Sequence, residues 1–364
     1  MFEDWLKRTG KWMEGTGPFP EIAVSSRIRL ARNLEGQPFI TRATPAQSLA
    51  VMETMTKAFS QVAQLKEAGV WAMDELSGLD RHLLVERHVI SHELAGTAPP
   101  APQVPGALRV AEQARVGRGV VIDMEERISL MMNEEDHLRL QVIHSGLDLE
   151  GAWEVAAKID RTLSEMLTYA FSSSWGYLAC CPTNTGTGLR ASVMLHLPAL
   201  VFERRAEKVL RKASQLGLAV RGLYGEGSEV KSVFFQVSNQ VTLGKTETEI
   251  IEHVAHVTRQ LIQAEQETRQ SLMKNQRIKI EDSVWRAYAL LKHARTVTSV
   301  EATDLLSTVR LGVELGLIKD VSIRTLNELL MLAQPAHMQK RLGQEVSGGV
   351  RDEKRAEFFR ERLQ

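Results

Sequence analysis

Five arginines in this 364-residue chain sit in short contexts suited to phosphate: Arg27 and Arg29 in Ser25-Ser26-Arg27-Ile28-Arg29, Arg139 closing Asn133-Glu134-Glu135-Asp136-His137-Leu138-Arg139, Arg190 in Arg190-Ala191-Ser192-Val193-Met194, and Arg221 opening Arg221-Gly222-Leu223-Tyr224-Gly225-Glu226. A guanidinium is a planar fork of donors that matches two phosphate oxygens at once, where lysine offers a point charge. If Ser25 to Leu30 is extended, Arg27 and Arg29 project from one face, because strand side chains repeat every second residue. Thr183-Asn184-Thr185-Gly186-Thr187-Gly188 adds a polar, glycine-rich loop whose backbone N–H groups suit an anion. Taken singly, each block also reads as solvated charge, a strand end or a turn. Two of the blocks add carboxylates, Glu135 and Glu226, and the combination suggests a nucleotide clamp that carries its own catalyst.

Any such anion site must be local. Lys plus Arg equals Asp plus Glu at 45 each, which removes a general attraction to nucleic acid or anionic lipid. The neighbours Cys180 and Cys181 are the only cysteines; they define no disulfide framework and fit a reducing cytoplasm. The N-terminus has early acids and no apolar core of a signal peptide, and no stretch reaches the ~18 apolar residues needed to span a bilayer. A soluble, cytoplasmic protein of two domains is expected.

The elements that must position these residues mix strands and helices without a strict βαβ rhythm, which predicts an α+β fold, a sheet with helices packed on it. Thr44-Pro45-Ala46-Gln47 is a capping box that starts a helix running to about Lys66, with Leu49, Met52, Phe59 and Val62 on one face and Gly69 as its stop. Ala98 to Pro105, with four prolines, reads as a loop. Val120–Asp123 and Ile128–Met132 read as paired strands. Gly151–Leu167 has helical spacing through Val155, Ile159 and Leu163, and Gly217–Asn239 reads as two strands around a glycine-bracketed turn. A long helix starts after Thr246, and everything from Ser271 is helical. The expected division is a lead-in over 1–20, a catalytic domain over 21–270 and a helical domain over 271–364.

In order and wording, these blocks resemble those of the phosphagen (guanidino) kinases. The matching segments are Ser25 to Arg29, Asn133 to Arg139, Cys181-Pro182-Thr183-Asn184, Arg190 to Val193, Arg221-Gly222 with Gly225-Glu226, and Ser238-Asn239 followed by Leu243-Gly244 and Thr246-Glu247. The closest resemblance is to the bacterial protein-arginine kinase branch. Only about twenty residues precede the first arginine block, a helical extension follows, and Arg351-Asp352-Glu353-Lys354-Arg355-Ala356 resembles that branch's phosphoarginine-binding motif. Tyr224 stands where metabolite kinases tend to carry another arginine.

The resemblance implies a mainly antiparallel sheet flanked by helices, ATP as phosphoryl donor, and Mg²⁺ bridging the phosphates rather than caged by protein. It implies a nucleotide site of Ser25 to Arg29, His88, Arg139, Arg190 to Met194 and Arg221 to Glu226. His88 and His92, four apart, suit a shared metal less well than a nucleotide-facing or structural role. It implies phosphoarginine held by Arg351, Asp352, Arg355 and Ala356, and with it allosteric control and a homodimer. Implied partners are proteins with exposed arginines, a stress-response repressor among them, a Clp-type protease and a zinc-binding activator, with no direct nucleic acid and no membrane.

It also assigns Glu135 as principal base, Glu226 as orienting partner and Cys181 as the active-site cysteine. An arginine with a pKa of about 13 is neutral only about one part in a million at pH 7, a cost of roughly 8 kcal/mol if deprotonation had to come first. Nearby carboxylates raise that pKa further, so their role is to hold the guanidinium in line and accept a proton late, as the N–P bond forms. Guanidinium groups beside Cys181 would lower its thiol pKa and leave it open to oxidation; by itself it reads equally as a small buried residue. The alternatives are a kinase for free arginine or another small guanidine, a non-catalytic phosphoarginine-binding adaptor, and, least favoured, a helix-turn-helix DNA binder using Lys274, Arg277 and Lys279.

Overall fold

The computed structural model describes residues 5–97, 116–222 and 233–363. The proline-rich stretch and the glycine-bracketed turn, with Leu223, Tyr224, Gly225 and Glu226, lie outside them.

A single antiparallel sheet carries the chain's chemistry. Its strands are β1 (Ala23–Arg32), β2 (Gly69–Ala72), β3 (Gly119–Ile122), β4 (Ile128–Met132), β5 (Leu138–Ser145), β8 (Leu189–His196), β9 (Leu218–Gly222) and β10 (Phe234–Asn239), in the order β2-β3-β4-β5-β1-β8-β10-β9. Two short strands, β6 (Phe171–Ser172) and β7 (Gly176–Tyr177), pair separately. The central position of β1 follows from its sequence, since both faces of Ala23–Arg32 are covered. Ile28 and Leu30 enter the main core with Leu140 and Val142 of β5, Ala191 and Val193 of β8 and Val237 of β10. Because the strand period is two, a slip of one residue would drive Arg27 and Arg29 into that core, and this fixes the register.

Among the described residues the helices of this part are α1 (Pro45–Phe59), α2 (Gly78–Glu86), α3 (His92–Ala95), α4 (Leu149–Ser164), α5 (Pro198–Phe202), α6 (Ala206–Gln215) and α7 (Glu247–Asn275). α1, α4, α5, α6 and α7 contribute to the main core, whereas Leu84 of α2 and Leu94 of α3 pack on the other face of the sheet, against Val120, Ile122 and Met131. The Asp148 carboxylate caps α4, which buries Ala152, Ala156, Ile159 and Leu163. A capping box of Thr246 and Glu249 starts α7. That helix buries Ile250, Val254 and Leu261 and crosses residue 270 without a break. The antiparallel pair of β3 and β4 is as expected.

The helix after Thr44 differs from its expectation. It stops at Phe59, Ala63–Leu65 forms a single 3₁₀ turn, and Gly69 opens β2. Its buried face is Val51, Met55, Ala58 and Phe59, while Leu49 is 43% exposed. The chain tightens after Phe59, where the N–H groups of Gln61 and Val62 bond three residues back to Ala58 and Phe59, and this drops Val62 into the core.

The C-terminal helices are α8 (Arg277–His293), α9 (Ser299–Glu314), α10 (Ile323–Leu332), α11 (Pro335–Leu342) and α12 (Gly348–Arg362). They enclose a second core that includes Val284, Leu291, Leu306, Leu329 and Phe359. The fold is α+β with a helical C-terminal part.

Candidate active site

Strand pairing alone gathers the arginines. Arg29 lies opposite Gln141 and Arg190, Arg27 opposite Ile143 and Ser192, Ala31 opposite Arg139, and Gln236 between Met194 and Arg221. Directly opposed residues share a face. Arg27, Arg29, Arg139, Arg190 and Arg221 therefore stand on the side away from the main core, beside Ser25, Ser192, Met194, Gln236 and Ser238. Ser26, Ile28, Ala191 and Val193 take the other face, where the Ser26 hydroxyl donates to Gly146 O (2.8 Å) and accepts from Asp148 N (2.9 Å). Gly222 ends β9 opposite Phe235.

The result is a concentration of positive charge with few acids to offset it. Burial, then Arg190 and Arg139, pushes the Arg27 pKa down to about 10. Burial and the three neighbouring arginines 27, 139 and 190 push Arg29 well below its usual value. Neutral acceptors align the forks: Arg27 Nη2 donates to Gln236 Oε1 (2.9 Å) and Arg190 Nη2 to Ser238 Oγ (3.0 Å). Arg29 Nε is buried with no acceptor in the protein. Buried cations that repel one another are stabilised by a polyanion, and the donors are of the kind that binds phosphate oxygens. Tripolyphosphate at about 100 times its Kd should therefore add about 2.7 kcal/mol of stability, read as a rise in melting temperature.

The acidic block forms the turn between β4 and β5, where Asn133 takes a left-handed φ of 53°. Its buried side-chain amide donates to Ser48 O (2.9 Å) and Gly117 O (2.6 Å). The three carboxylates then have different neighbours. Buried Glu134 accepts from Arg139 Nη1 and Ser91 Oγ, both at 2.5 Å. Buried Asp136 accepts from Asn33 Nδ2 and from the Cys180 amide, both at 2.7 Å. Glu135 alone is open, its side chain 40% exposed, held by Arg139 Nη2 (3.0 Å) and Asn184 Nδ2 (3.4 Å). Burial raises its pKa, Arg139 opposes the rise, and Glu134 and Asp136 add to it.

Asn184 ends the 3₁₀ turn Pro182–Asn184 that Cys181 opens, so Glu135 and the cysteine loop meet. Thr242 Oγ1 donates to the carbonyls of Thr183 (2.9 Å) and Thr185 (2.7 Å) and fixes that loop. The Cys181 thiol contacts Thr183 Oγ1 (3.0 Å), while burial raises the Cys180 thiol. His88 has a left-handed φ of 59°, and its carbonyl accepts from Gln141 Nε2 (2.8 Å). It lines a depression with Arg27, Ser192 and Met194. His92 faces Thr97 Oγ1 (3.2 Å).

The C-terminal motif lies on α12, and its two arginines diverge. Arg355 is buried and donates to Ala333 O (2.7 Å), Val297 O (2.8 Å) and Asp352 Oδ1 (2.5 Å). Arg351 is half-buried and reaches Gln339 Oε1 (3.3 Å), and Ala356 is buried. Nor do the basic residues near Ser271 form a groove-reading face: Arg277 pairs with Glu281 and Lys279 lies over the Phe202 ring.

Two residues of the site were not singled out from the sequence. Gln236 follows from the strand alternation around Val237. Asn33 has no local signal: it joins Asp136 to the His137 amide (2.9 Å) across a wide separation in the chain.

Comparison with known proteins identifies the lineage. Residues 50–268 match the C-terminal catalytic domain of ATP:guanido phosphotransferases, and residues 277–364 match the C-terminal domain of the protein-arginine kinase McsB. A protein-arginine kinase of Halothermothrix orenii is 46% identical over 357 residues, covering 98% of this chain and 97% of its own. The chain belongs to the protein-arginine kinase family of ATP:guanido phosphotransferases. Another member of that family, from Brevibacillus brevis, is 44% identical over 354 residues, or 97% of this chain and 94% of that one. Among solved structures, the duplicated taurocyamine kinase of Schistosoma mansoni with transition-state analogue components aligns at a TM-score of 0.58 and 25% identity, over 72% of this chain and 35% of that one. A lombricine kinase aligns at 0.57 and 22% identity, over 72% and 70%; that likeness shows the fold. Family membership makes the chain a guanidino phosphotransferase that uses ATP. No helix among the described residues is long and apolar enough to cross a membrane.

Proposed function

We propose that this chain transfers the γ-phosphoryl group of ATP to arginine side chains of proteins. One observation carries the proposal: four mutually repelling arginines, Arg27, Arg29, Arg139 and Arg190, share a sheet face, and one of them, Arg139, holds the open carboxylate of Glu135 from the adjoining turn. The arginines hold the triphosphate and offset its charge; among the described residues no cluster of His, Cys, Asp or Glu would hold a metal ion by itself, so Mg²⁺ would come with the nucleotide and supply further charge neutralisation. A guanidino nitrogen attacks the γ-phosphorus, the bond to the bridging oxygen breaks, ADP leaves, and the nitrogen's proton passes to Glu135. In this structure Glu135 rests on Arg139; a triphosphate that draws Arg139 toward itself frees the carboxylate for the incoming cation.

The same proposal gives Arg221 to the phosphates and Glu226 to the acceptor. It divides the chain into a catalytic unit over 21–270 and a helical unit over 271–364, in which Arg351 and Asp352 face phosphoarginine and Arg355 holds Asp352 in place. A homodimer in the cytoplasm, working with a Clp-type protease and a zinc-binding activator on a stress-response repressor and other proteins, completes the proposal by resemblance.

The test is incubation with Mg·ATP and a disordered protein, followed by mass spectrometry without acid. Phosphorylated arginine should appear with the wild type and vanish with Glu135→Ala. Label on serine, threonine or tyrosine would overturn the proposal. Equal turnover of free arginine would assign a small-guanidine kinase.

A further inference from the structure

The short hairpin of β6 and β7 adjoins the acceptor carboxylate, and its base is firmly tied down. The Tyr177 N–H donates to Gly186 O (2.8 Å) and the Leu178 N–H to Ala170 O (2.9 Å). A Cβ on Gly176 would lie 2.5 Å from the Gly186 oxygen, so the two backbones meet there only because the residue is glycine. The Tyr177 ring packs on Arg32, whose guanidinium carbon is 3.6 Å from the ring centroid, and Arg32 is itself buried and paired with Asp160 (2.7 Å).

On this base the fold leaves two aromatic side chains in water. Phe171 is 61% exposed and Trp175 58%, more than any other aromatic residue among those described. Phe171 leans edge-on against Tyr177, with ring centroids 5.3 Å apart and planes at 73°, and neither Phe171 nor Trp175 enters a buried core. Rings of this kind give a large contact area for little lost freedom, and a rigid support lowers that loss further.

The place of the hairpin decides what it meets. Asn33 Nδ2 donates both to Leu178 O (3.0 Å) and to Asp136 Oδ1 (2.7 Å), the Cys180 N–H donates to the same Asp136 oxygen (2.7 Å), and Asn184 Nδ2 donates to Glu135 (3.4 Å). The chain thus runs from the hairpin straight into the turn that faces Glu135, and the five residues from Trp175 to Cys180 span at most about 17 Å. A guanidinium that reaches Glu135 from a protein brings its own backbone past this opening. An extended backbone advances about 3.3 Å per residue, so side chains about three to five residues from the target arginine come within reach of the hairpin. Free arginine has nothing to place there.

We infer that Phe171 and Trp175 dock the extended polypeptide that carries the target arginine, by contact with apolar side chains flanking it, an inference that rests on Glu135 receiving an arginine of a protein. The hairpin is then a specificity surface, and protein arginines with apolar neighbours are the preferred acceptors.

Equilibrium binding of two labelled peptides to the full chain, read by fluorescence anisotropy, tests this. Each peptide holds one arginine; in one, leucine and phenylalanine stand about three to five residues away on both sides, and in the other, serine. The wild type should prefer the apolar peptide by about 10- to 30-fold, and Trp175→Ala should cut that preference by about 5- to 30-fold, the effect of losing one aromatic anchor. Trp175→Phe should keep most of it, and Phe171→Ala should lower it in the same sense. A wild type without preference, or a Trp175→Ala protein that weakens both peptides by one factor, would overturn the inference. So would an unchanged preference joined to a change in the protein's own mass in sedimentation, which would make the hairpin a contact between copies of this chain. Binding needs no turnover, so the two levels separate: an apolar peptide held through Trp175 that gains no phosphoarginine with Mg·ATP sinks the kinase reading and leaves the docking surface standing.

Discussion

Glu135→Gln should lower kcat by about 10²- to 10⁴-fold, the range for removing a general base, with ATP affinity changed only a few-fold. Glutamine keeps the size of the side chain and its contact to Asn184, but it cannot take the proton. ATP affinity is spared because Glu134 still holds the other arm of Arg139 at 2.5 Å. The pH profile adds an independent check. Burial raises the Glu135 pKa, and the carboxylate must be ionised to accept a proton. Activity should therefore fall as pH drops through that raised pKa. In Glu135→Gln this acid limb should flatten, which steady-state rates across the acid range would reveal. Unchanged kcat in the variant would remove Glu135 from the chemistry.

Arg29→Met should move activity and stability in opposite directions. Arg29 stands at the centre of the positive face, opposed by Arg190 and Gln141, with a buried Nε that has no acceptor in the protein. Losing a guanidinium that stabilises the transferring phosphoryl group should lower kcat/KM by about 10³- to 10⁵-fold. Without ligand, the same change removes a half-buried cation from beside three others. Methionine fills similar space and carries no charge for its neighbours to repel, so the protein should melt at a higher temperature. Calorimetry with and without tripolyphosphate would show a higher melting point that the anion no longer raises. A lower melting point would mean that Arg29 serves the fold rather than the ligand.

The parts of this site that the sequence makes legible are those governed by local periodicity. The alternation in Ser25-Ser26-Arg27-Ile28-Arg29-Leu30 is enough to place Arg27 and Arg29 on one face of a strand, and the glycine-rich loop and acidic turn announce themselves by composition. What brings them into one place is pairing between strands, and that is not local: Arg27 and Gln236 are joined across 209 residues. Asn33 carries no pattern at all, since its role exists only once Asp136 and His137 lie beside it. Arg355 misleads for the opposite reason. It looks like part of a charged helix face, yet it is 1% exposed because two carbonyls from other segments, Val297 and Ala333, accept from it. The helix from Pro45 shows the limit of periodicity: Leu49 fits an apolar spacing, but the strip that meets the core is set by where the sheet lies.

The buried Arg87 has a bearing on how such enzymes can be rebuilt. Its side chain and that of Glu126 are both 0% exposed, and the group shares His337 with a helix that the sheet meets only after a long excursion of the chain. Stripping one partner from a buried ion pair costs about 3–5 kcal/mol. A chimaera that exchanged everything after Asn275 for foreign sequence would have to transplant the complement of Glu86, Arg87 and Glu126 along with it. The seam between the two halves is thus a matched lock, and recombination there would succeed only between parents that carry the same key.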